Sequence, residues 1–244
     1  MTNDDLFATM PRLKDRFIPP MESFFRNFDV AKMDQKMKAM GAPADWRHTD
    51  EVREDGRRKF LSTIPAGDLW VFAYGSLMWD PAIFVSEIRQ ATLTGYHRSF
   101  CLKSVLGRGT EEFPGLMAGL DTGGSCHGLA MRIEASKVET ETKQLWCREM
   151  LMHAYRPEVL PINTPKGSIN AVAFVIDQTA ANYQPNLTDD QTSFMLATGE
   201  GELGSSLDYI SKLADQFEAI GIHDPDLKQL LARANVAKQN CSIT

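Results

Sequence analysis

The stretch that decides the fold is Leu69-Trp70-Val71-Phe72-Ala73-Tyr74-Gly75-Ser76-Leu77-Met78-Trp79, a long apolar run that ends abruptly. Six apolar or aromatic residues come before Gly75 and Ser76 without a charge among them. A run of this length, bounded by turn formers, predicts a buried strand rather than a helix. Gly75 has access to backbone angles closed to other residues, so the chain can bend sharply where the strand ends.

The bend predicted after this strand has two interpretations. It leaves consecutive backbone N–H groups without partners in the sheet, and such groups favour a carboxylate or a developing oxyanion. The alternative is a plain core strand followed by a tight turn. The stretch by itself supports both interpretations equally, so the rest of the chain has to separate them.

Composition indicates an ordinary soluble globular protein without a polyanionic partner. Of its 244 residues 43% are hydrophobic, and the net charge of −6 argues against nucleic acid or an anionic membrane as a partner. No apolar run is long enough to span a bilayer. The acidic start Met1–Asp5 lacks a signal-peptide pattern and four widely spaced cysteines fit free thiols, so we expect a cytoplasmic protein. Five histidines without ligand spacing predict no metal site.

Residues 1–65 differ in character from the rest of the chain. Phenylalanine and methionine residues recur with roughly helical spacing over 21–40, and Gly41 stands where a helix C-cap would. We therefore expect residues 1–65 to form a mostly helical N-terminal extension packed on a main domain at 66–240. The alternative is that the extension is a partner-binding arm.

The main domain begins with strand-like segments and ends with helices. Alternating apolar residues predict half-buried strands over 91–96 and 98–103, and the glycine-rich region that follows resembles a hairpin turning at 121–124. The run 171–176 predicts another buried strand, and 206–220 predicts an amphipathic helix. A single β-rich core surrounded by helices is the simplest interpretation.

Residues 134–153 predict a helix with a carboxylate on its apolar face. Glu149 follows Leu145 in a stripe of positions that share one face. Burial at such a position disfavours the ionised form and raises the pKa, which suits a group that accepts a proton and returns it within one turnover. The alternatives are a glutamate on the helix surface, or one paired with a buried arginine such as Arg108 or Arg132.

The sequence contains no system that would activate a nucleophile. Ser76 lies in Y-G-S-L rather than in the G-x-S-x-G elbow. Cys147 is two residues from Glu149, and residues two apart do not face each other on a helix. A single carboxylate beside a backbone anion pocket suits a reaction whose nucleophile the substrate itself carries.

An ordered set of motifs runs through residues 68–230. Its members are Trp70–Pro81, Gly95–Leu102, Gly107–Thr110, Gly124–Gly128, Leu145–Met150, Tyr155–Pro157, 171–177 and Gly204–Tyr209. In this order the motifs resemble those of the ChaC family of γ-glutamylcyclotransferases. One departure from the family pattern is Val159, which stands where the family often has Trp. This difference affects the expected wall of the substrate pocket.

The resemblance implies a fold and a reaction. The fold is α+β, a γ-glutamylcyclotransferase-like small mixed β-barrel core flanked by helices. The reaction is cleavage of glutathione to 5-oxoproline and cysteinylglycine, without a cofactor. By resemblance Glu149 is the general acid and base, and Tyr74, Gly75, Ser76 and Leu77 bind the γ-glutamyl unit. The alternatives are a cyclotransferase for other γ-glutamyl peptides or amines, and a non-catalytic regulator of cation transport, which would not need an acid among apolar residues.

Two further residues are candidates for substrate binding. Arg108 is suited to pairing with a substrate carboxylate, and equally to a structural ion pair. Tyr155 is suited to a hydrogen bond with substrate or with Glu149, and a core tyrosine is the alternative. Tyr183 is a looser candidate of the same kind.

Overall fold

A computed structural model describes residues 6–241 as an α+β fold built on a closed five-stranded barrel, which confirms the predicted fold class. The acidic start Met1–Asp5 lies outside the described residues. Around the barrel, the strands follow the order β1-β3-β2-β4-β5. Their bounds are β1 Leu69–Ala73, β2 Glu87–Ser104, β3 Gly115–Ile133, β4 Tyr155–Thr164 and β5 Gly167–Ile176.

The barrel closes through one parallel pairing between its first and last strands. Val71 in β1 pairs with Val172 in β5, whereas the other neighbouring strands are antiparallel. Strand residues alternate between two faces. In β1, Phe72 belongs to a cluster of strand residues that fills the barrel interior, while Val71 belongs to the core between the barrel and the helices.

Six α-helices are described outside the barrel. They are α1 Val30–Ala39, α2 Asp50–Leu61, α3 Val138–Glu149, α4 Asp189–Thr198, α5 Ser206–Ala219 and α6 Pro225–Cys241. A short two-stranded ribbon, β6 Glu200–Gly201 with β7 Gly204–Ser205, leads into α5. Helix α5 starts at a side-chain cap, since Ser205 accepts a hydrogen bond from the Asp208 N–H. None of the helices in residues 6–241 is both long and apolar enough to cross a bilayer.

The predicted hairpin at 121–124 is wrong. Strand β3 continues through this region without reversing and stays paired with β2 on both sides of it. The glycines bend the long strand rather than reversing it, because Gly123 and Gly124 have φ values of 94° and 70°, opposite Gly95 at 91°. The register of the β2–β3 pair shifts at the same place, between Thr94 and Tyr96.

Two predicted helices begin or end differently from the expectation. The segment 21–40 contains the short 3₁₀-helices Pro20–Glu22 and Phe25–Asn27, and a regular helix forms only from Val30, where Asp29 caps the Lys32 N–H. Helix α3 ends at Glu149, four residues before the expected end. Glu149 therefore lies at the end of the helix, where a side chain can reach past the last turn.

Candidate active site

One small pocket collects most of the residues predicted for the site. Its volume is about 30 Å³, which is room for about two water molecules. It is formed by the turn after β1, the C-terminal end of α3, the first residue of β4, and side chains from β3, β5 and α5. The lining residues are Tyr74, Gly75, Ser76, Leu77, Ala118, Glu149, Tyr155, Phe174 and Tyr209.

The turn after β1 needs a glycine because another side chain lies against it. A Cβ atom on Gly75 would lie 2.7 Å from the Tyr209 hydroxyl oxygen. Its φ of −131° lies outside the left-handed region, so close approach, rather than the predicted freedom of backbone angles, accounts for the glycine. The chain then enters the short 3₁₀-helix Ser76–Met78.

The turn leaves backbone donors available, as predicted from its position after a strand. The first N–H groups of a helix have no partner within it. The Met78 N–H donates to the Gly75 carbonyl at 2.9 Å. Within residues 6–241, the N–H groups of Gly75, Ser76 and Leu77 have no backbone acceptor. These groups are therefore suited to an anionic oxygen in the pocket.

Glu149 is buried at the end of α3, and its side chain is 13% exposed. Burial raises the pKa of the carboxyl group above its ordinary 4.5, and the nearby Arg148 guanidinium lowers it by a smaller amount. The Arg148 Nε lies 2.9 Å from Glu149 Oε1. The cation beside Glu149 is therefore Arg148 rather than either of the arginines named from the sequence, since Arg132 pairs with Asp68.

Arg148 joins the helix to the turn, and the sequence interpretation gave it no role. Its side chain is 4% exposed. Its Nη2 donates to the Ser76 hydroxyl at 2.7 Å, and its Nη1 donates to the Asp80 carbonyl. The available signal was a pair of charges directly after the apolar run Leu145-Trp146-Cys147, because a buried arginine needs several acceptors.

Three tyrosines complete the wall of the pocket. The Tyr74 hydroxyl donates to the Phe174 carbonyl at 2.7 Å, which ties β1 to β5. Burial raises the pKa values of Tyr74, Tyr155 and Tyr209, and the Glu149 carboxylate adds to the effect at Tyr155. All three hydroxyls therefore stay protonated at neutral pH. Tyr209 was missed by the sequence analysis because its place beside Gly75 depends on the packing of α5.

Two of the predicted residues lie away from this pocket. Arg108 is buried and donates to the Ser205 carbonyl at 3.3 Å, with its guanidinium carbon 5.5 Å from the centre of the Tyr209 ring. It therefore lies behind Tyr209 instead of lining the pocket, and its role in substrate binding stays a prediction. The Tyr183 hydroxyl donates to Asp121 Oδ2 at 2.6 Å, also outside the pocket.

The arrangement is suited to proton transfer. A carboxyl group with a raised pKa faces a cavity that also contains free backbone donors and neutral tyrosine hydroxyls. Within residues 6–241, no group of three or more histidine, cysteine, aspartate or glutamate side chains has a geometry that could hold a metal ion. Fold and site together define a small-barrel protein with one buried acid beside a donor-rich turn.

Comparison with known proteins identifies the family. The family model described as ChaC-like protein matches residues 69–238. A glutathione-specific γ-glutamylcyclotransferase of Escherichia coli (strain K12) is 36% identical over 166 residues, which are 68% of this chain and 72% of the relative. The chain belongs to the ChaC-like family.

More distant proteins agree with this assignment. Glutathione-specific γ-glutamylcyclotransferase 1 of Mus musculus is 28% identical over 158 residues, 63% of this chain and 71% of the relative. A crystal structure of a yeast γ-glutamylcyclotransferase specific to glutathione superimposes with a TM-score of 0.65 at 18% identity, covering 71% of this chain and 98% of the yeast chain. The yeast structure therefore supports the barrel fold.

Proposed function

We propose that this protein is a γ-glutamylcyclotransferase that cleaves glutathione to 5-oxoproline and cysteinylglycine. One observation carries the proposal. In a chain of the ChaC-like family, the buried carboxyl group of Glu149 lines the same cavity as the donor-rich turn Gly75–Leu77. The named relatives act on glutathione, so glutathione is the expected substrate of this protein as well.

The proposed reaction needs one base and no external nucleophile. The Glu149 carboxylate accepts a proton from the substrate α-ammonium group, and the freed amine attacks the γ-carbonyl carbon. The backbone N–H groups of Gly75–Leu77 donate to the negatively charged oxygens of the γ-glutamyl unit. The C–N bond to cysteinylglycine then breaks as Glu149 returns its proton to the departing nitrogen, and the ring nitrogen loses its second proton, which protonates the released amino group.

The physical sources of rate are those of an intramolecular reaction. Correct placement of the amine lowers the activation barrier by at most about 7–11 kcal/mol, because attack within one molecule needs no second reactant. General acid and base help adds about 10²–10⁴ in rate. The raised pKa of Glu149 suits this cycle, since the group has to take a proton and release it again.

The assignment of residues follows the same proposal. Glu149 is the catalytic residue, and Tyr74, Gly75, Ser76, Leu77 and Tyr155 bind the substrate. Arg108 is kept as a binding residue that acts on the substrate only if Tyr209 moves aside. We also propose that residues 66–240 form the catalytic domain and 1–65 an extension of it, supported by a family match that begins at residue 69.

We propose a cytoplasmic location as well. The buried cysteines Cys101 and Cys126 and the half-buried Cys147 carry free thiols, as is usual in a reducing compartment. Cell fractionation tests this proposal, and recovery of the protein outside the cytoplasm would contradict it.

The test of the activity is direct. Purified protein is mixed with glutathione, and 5-oxoproline and cysteinylglycine are measured by mass spectrometry. A γ-glutamyl amino acid is tested in parallel. Release of both products from glutathione supports the proposal. Reaction with the γ-glutamyl amino acid alone overturns the substrate assignment, and no reaction with either compound overturns the cyclotransferase assignment.

A further inference from the structure

Residues that precede the family region run along the helix that carries Glu149. At the start of α3, the buried Arg57 donates to the Thr142 hydroxyl at 2.8 Å and to Glu139 at 2.8 Å. Further along, the ring centres of Phe60 and Trp146 lie 5.3 Å apart. These contacts fix α3 from its first turn to its last.

Phe25 reaches the residue next to Glu149. The guanidinium carbon of Arg148 lies 4.0 Å from the centre of the Phe25 ring, so the ring covers one face of the guanidinium group. The three guanidinium nitrogens already have partners, because Nη1 and Nη2 donate to the Asp80 carbonyl and the Ser76 hydroxyl, and Nε forms an ion pair with Glu149 at 2.9 Å. The nitrogens fix the direction of the group within its plane, and Phe25 limits movement out of that plane.

The extension also holds the chain just after the glycine turn. The Ile18 N–H donates to the Trp79 carbonyl at 2.7 Å, and Arg26 Nη1 donates to the Ala82 carbonyl at 2.9 Å. Arg26 also contacts Glu141 in α3 at 2.8 Å. The same segment of chain therefore fixes both structures that Arg148 joins, namely the turn and the catalytic helix.

We infer that Phe25 and Arg148 are positioning residues for the reaction, and that the N-terminal extension completes the active site. Arg148 orients the Glu149 carboxylate and the Ser76 hydroxyl relative to each other, and Phe25 holds Arg148 in that orientation. The inference rests on the proposed cyclotransferase reaction for its kinetic effect. It gives the N-terminal extension a role in catalysis, although the extension lies outside residues 69–238, which match the family.

The principal test compares Phe25→Ala with Phe24→Ala. Phe24 is the matched control because it packs on Phe25 at 5.5 Å, is 53% exposed and does not contact Arg148. We expect Phe25→Ala to lower kcat about tenfold with a smaller change in KM, because a misplaced base affects the chemical step more than binding. Phe25→Tyr keeps the ring and restores kcat. A kcat for Phe25→Ala equal to that of Phe24→Ala would overturn the inference.

A second variant covers the possibility that Phe25→Ala does not fold. Arg148→Lys keeps the charge but lacks the planar fork, so it cannot donate to Glu149 and Ser76 together in the same geometry. We expect a comparable loss in kcat with glutathione. Full activity of Arg148→Lys would contradict a positioning role for the guanidinium group.

A measurement without substrate separates this inference from the proposed function. Exchange of the Arg148 Nε–H proton with water is followed by NMR, since the Arg148 side chain is only 4% exposed and its Nε is paired with Glu149. We expect Phe25→Ala to speed the exchange at least tenfold relative to Phe24→Ala. Unchanged exchange overturns the positioning role even in an active enzyme, whereas an inactive wild type with fast exchange in Phe25→Ala overturns only the proposed reaction.

Discussion

The two ends of helix α3 carry glutamates in opposite electrostatic situations. At the first turn, Glu139 contacts Arg57 and Lys143, and these cations lower its pKa to about 2. Two residues further along the helix, Glu141 accepts hydrogen bonds from Arg26 and from the Phe84 N–H at 2.9 Å. Both carboxylates pair with arginines of residues 1–65, and these ion pairs stabilise the packing of the N-terminal extension against α3.

At the last turn, Glu149 has a different balance. It is buried and has one cation beside it, and burial outweighs that cation, so its pKa is raised. The comparison teaches that exposure and the number of neighbouring cations, rather than the place of a carboxylate in the sequence, set the direction of its pKa shift: Glu139 is 64% exposed between two cations, whereas Glu149 is 13% exposed beside one.

The largest effect is expected from Glu149→Gln compared with Glu139→Gln. Glutamine cannot accept the proton, so kcat for release of 5-oxoproline from glutathione should fall by about 10²–10⁴. Glu139→Gln should leave kcat unchanged, because Glu139 lies outside the pocket. Initial rates of both variants give the answer, and a wild-type rate for Glu149→Gln would remove this residue from the mechanism.

The same pair of variants should differ in stability in the opposite sense. The folded-state pKa of Glu149 is raised, so its ionised form costs stability at every pH above the ordinary 4.5. Glu149→Gln should therefore melt at neutral pH no lower than the wild type, and Glu139→Gln somewhat lower. Thermal unfolding followed by circular dichroism measures both, and a clear drop in Tm for Glu149→Gln would contradict the assigned balance.

An intermediate effect is expected from a methyl group on the glycine turn. The Cβ of Gly75→Ala would lie 2.7 Å from the Tyr209 hydroxyl, so the buried tyrosine or the turn has to shift. A displacement of about 1 Å at a catalytic site costs about 10²-fold in rate. The control is Gly56→Ala in α2, where nothing lies within 4 Å and helix propensity should add about 0.5–1 kcal/mol of stability. Unchanged activity of Gly75→Ala would argue against a tightly fitted turn.

A smaller effect is expected in the pH profile of the enzyme. In the proposed reaction Glu149 has to be ionised to accept the α-ammonium proton, and burial raises its pKa above 4.5. The kcat/KM with glutathione should therefore rise with pH through a limb centred above 4.5, whereas Glu139, with a pKa of about 2, contributes nothing there. A limb centred at or below 4.5 would contradict the burial argument.

The smallest effect concerns the contact just beyond the end of α3. The rings of His48 and His153 lie 3.8 Å apart, and burial, then the charges of His153 and Arg53, lower the pKa of His48 below 6.5. The unfolded chain then binds the proton first, so stability is full above 6.5 and falls as the pH drops through that value. Urea unfolding of wild type and His48→Asn should show a shallower pH dependence in the variant. An identical dependence would exclude this pair as its source.

The sequence predicted local features of the fold better than long ones. The strand ahead of Gly75 and the amphipathic helix ending near Ile220 were predicted correctly, because each is defined by a short periodic pattern. The bend at Gly123 and Gly124 was misread as a reversal. A glycine pair between apolar runs gives the same local signal in both cases, and only the partner strand β2 decides between them.

The site shows the same division. The turn Tyr74–Leu77 and Glu149, which line one pocket, were singled out from an interrupted apolar run and from a carboxylate on an apolar face. Arg148 and Tyr209 were not, because their importance depends on contacts across 72 residues to Ser76 and on how α5 packs beside Gly75. Such contacts follow from tertiary packing and have no periodic signal in the chain.

The single parallel contact between Val71 and Val172 has a consequence for biosynthesis. Strand β1 leaves the ribosome about a hundred residues before its neighbour β5, and the Tyr74 hydroxyl bonds to Phe174 across the same interval. The last wall of the pocket, Tyr209, emerges later still. Because contacts this distant in sequence form late, a nascent chain cannot complete this pocket until Tyr209 has left the ribosome.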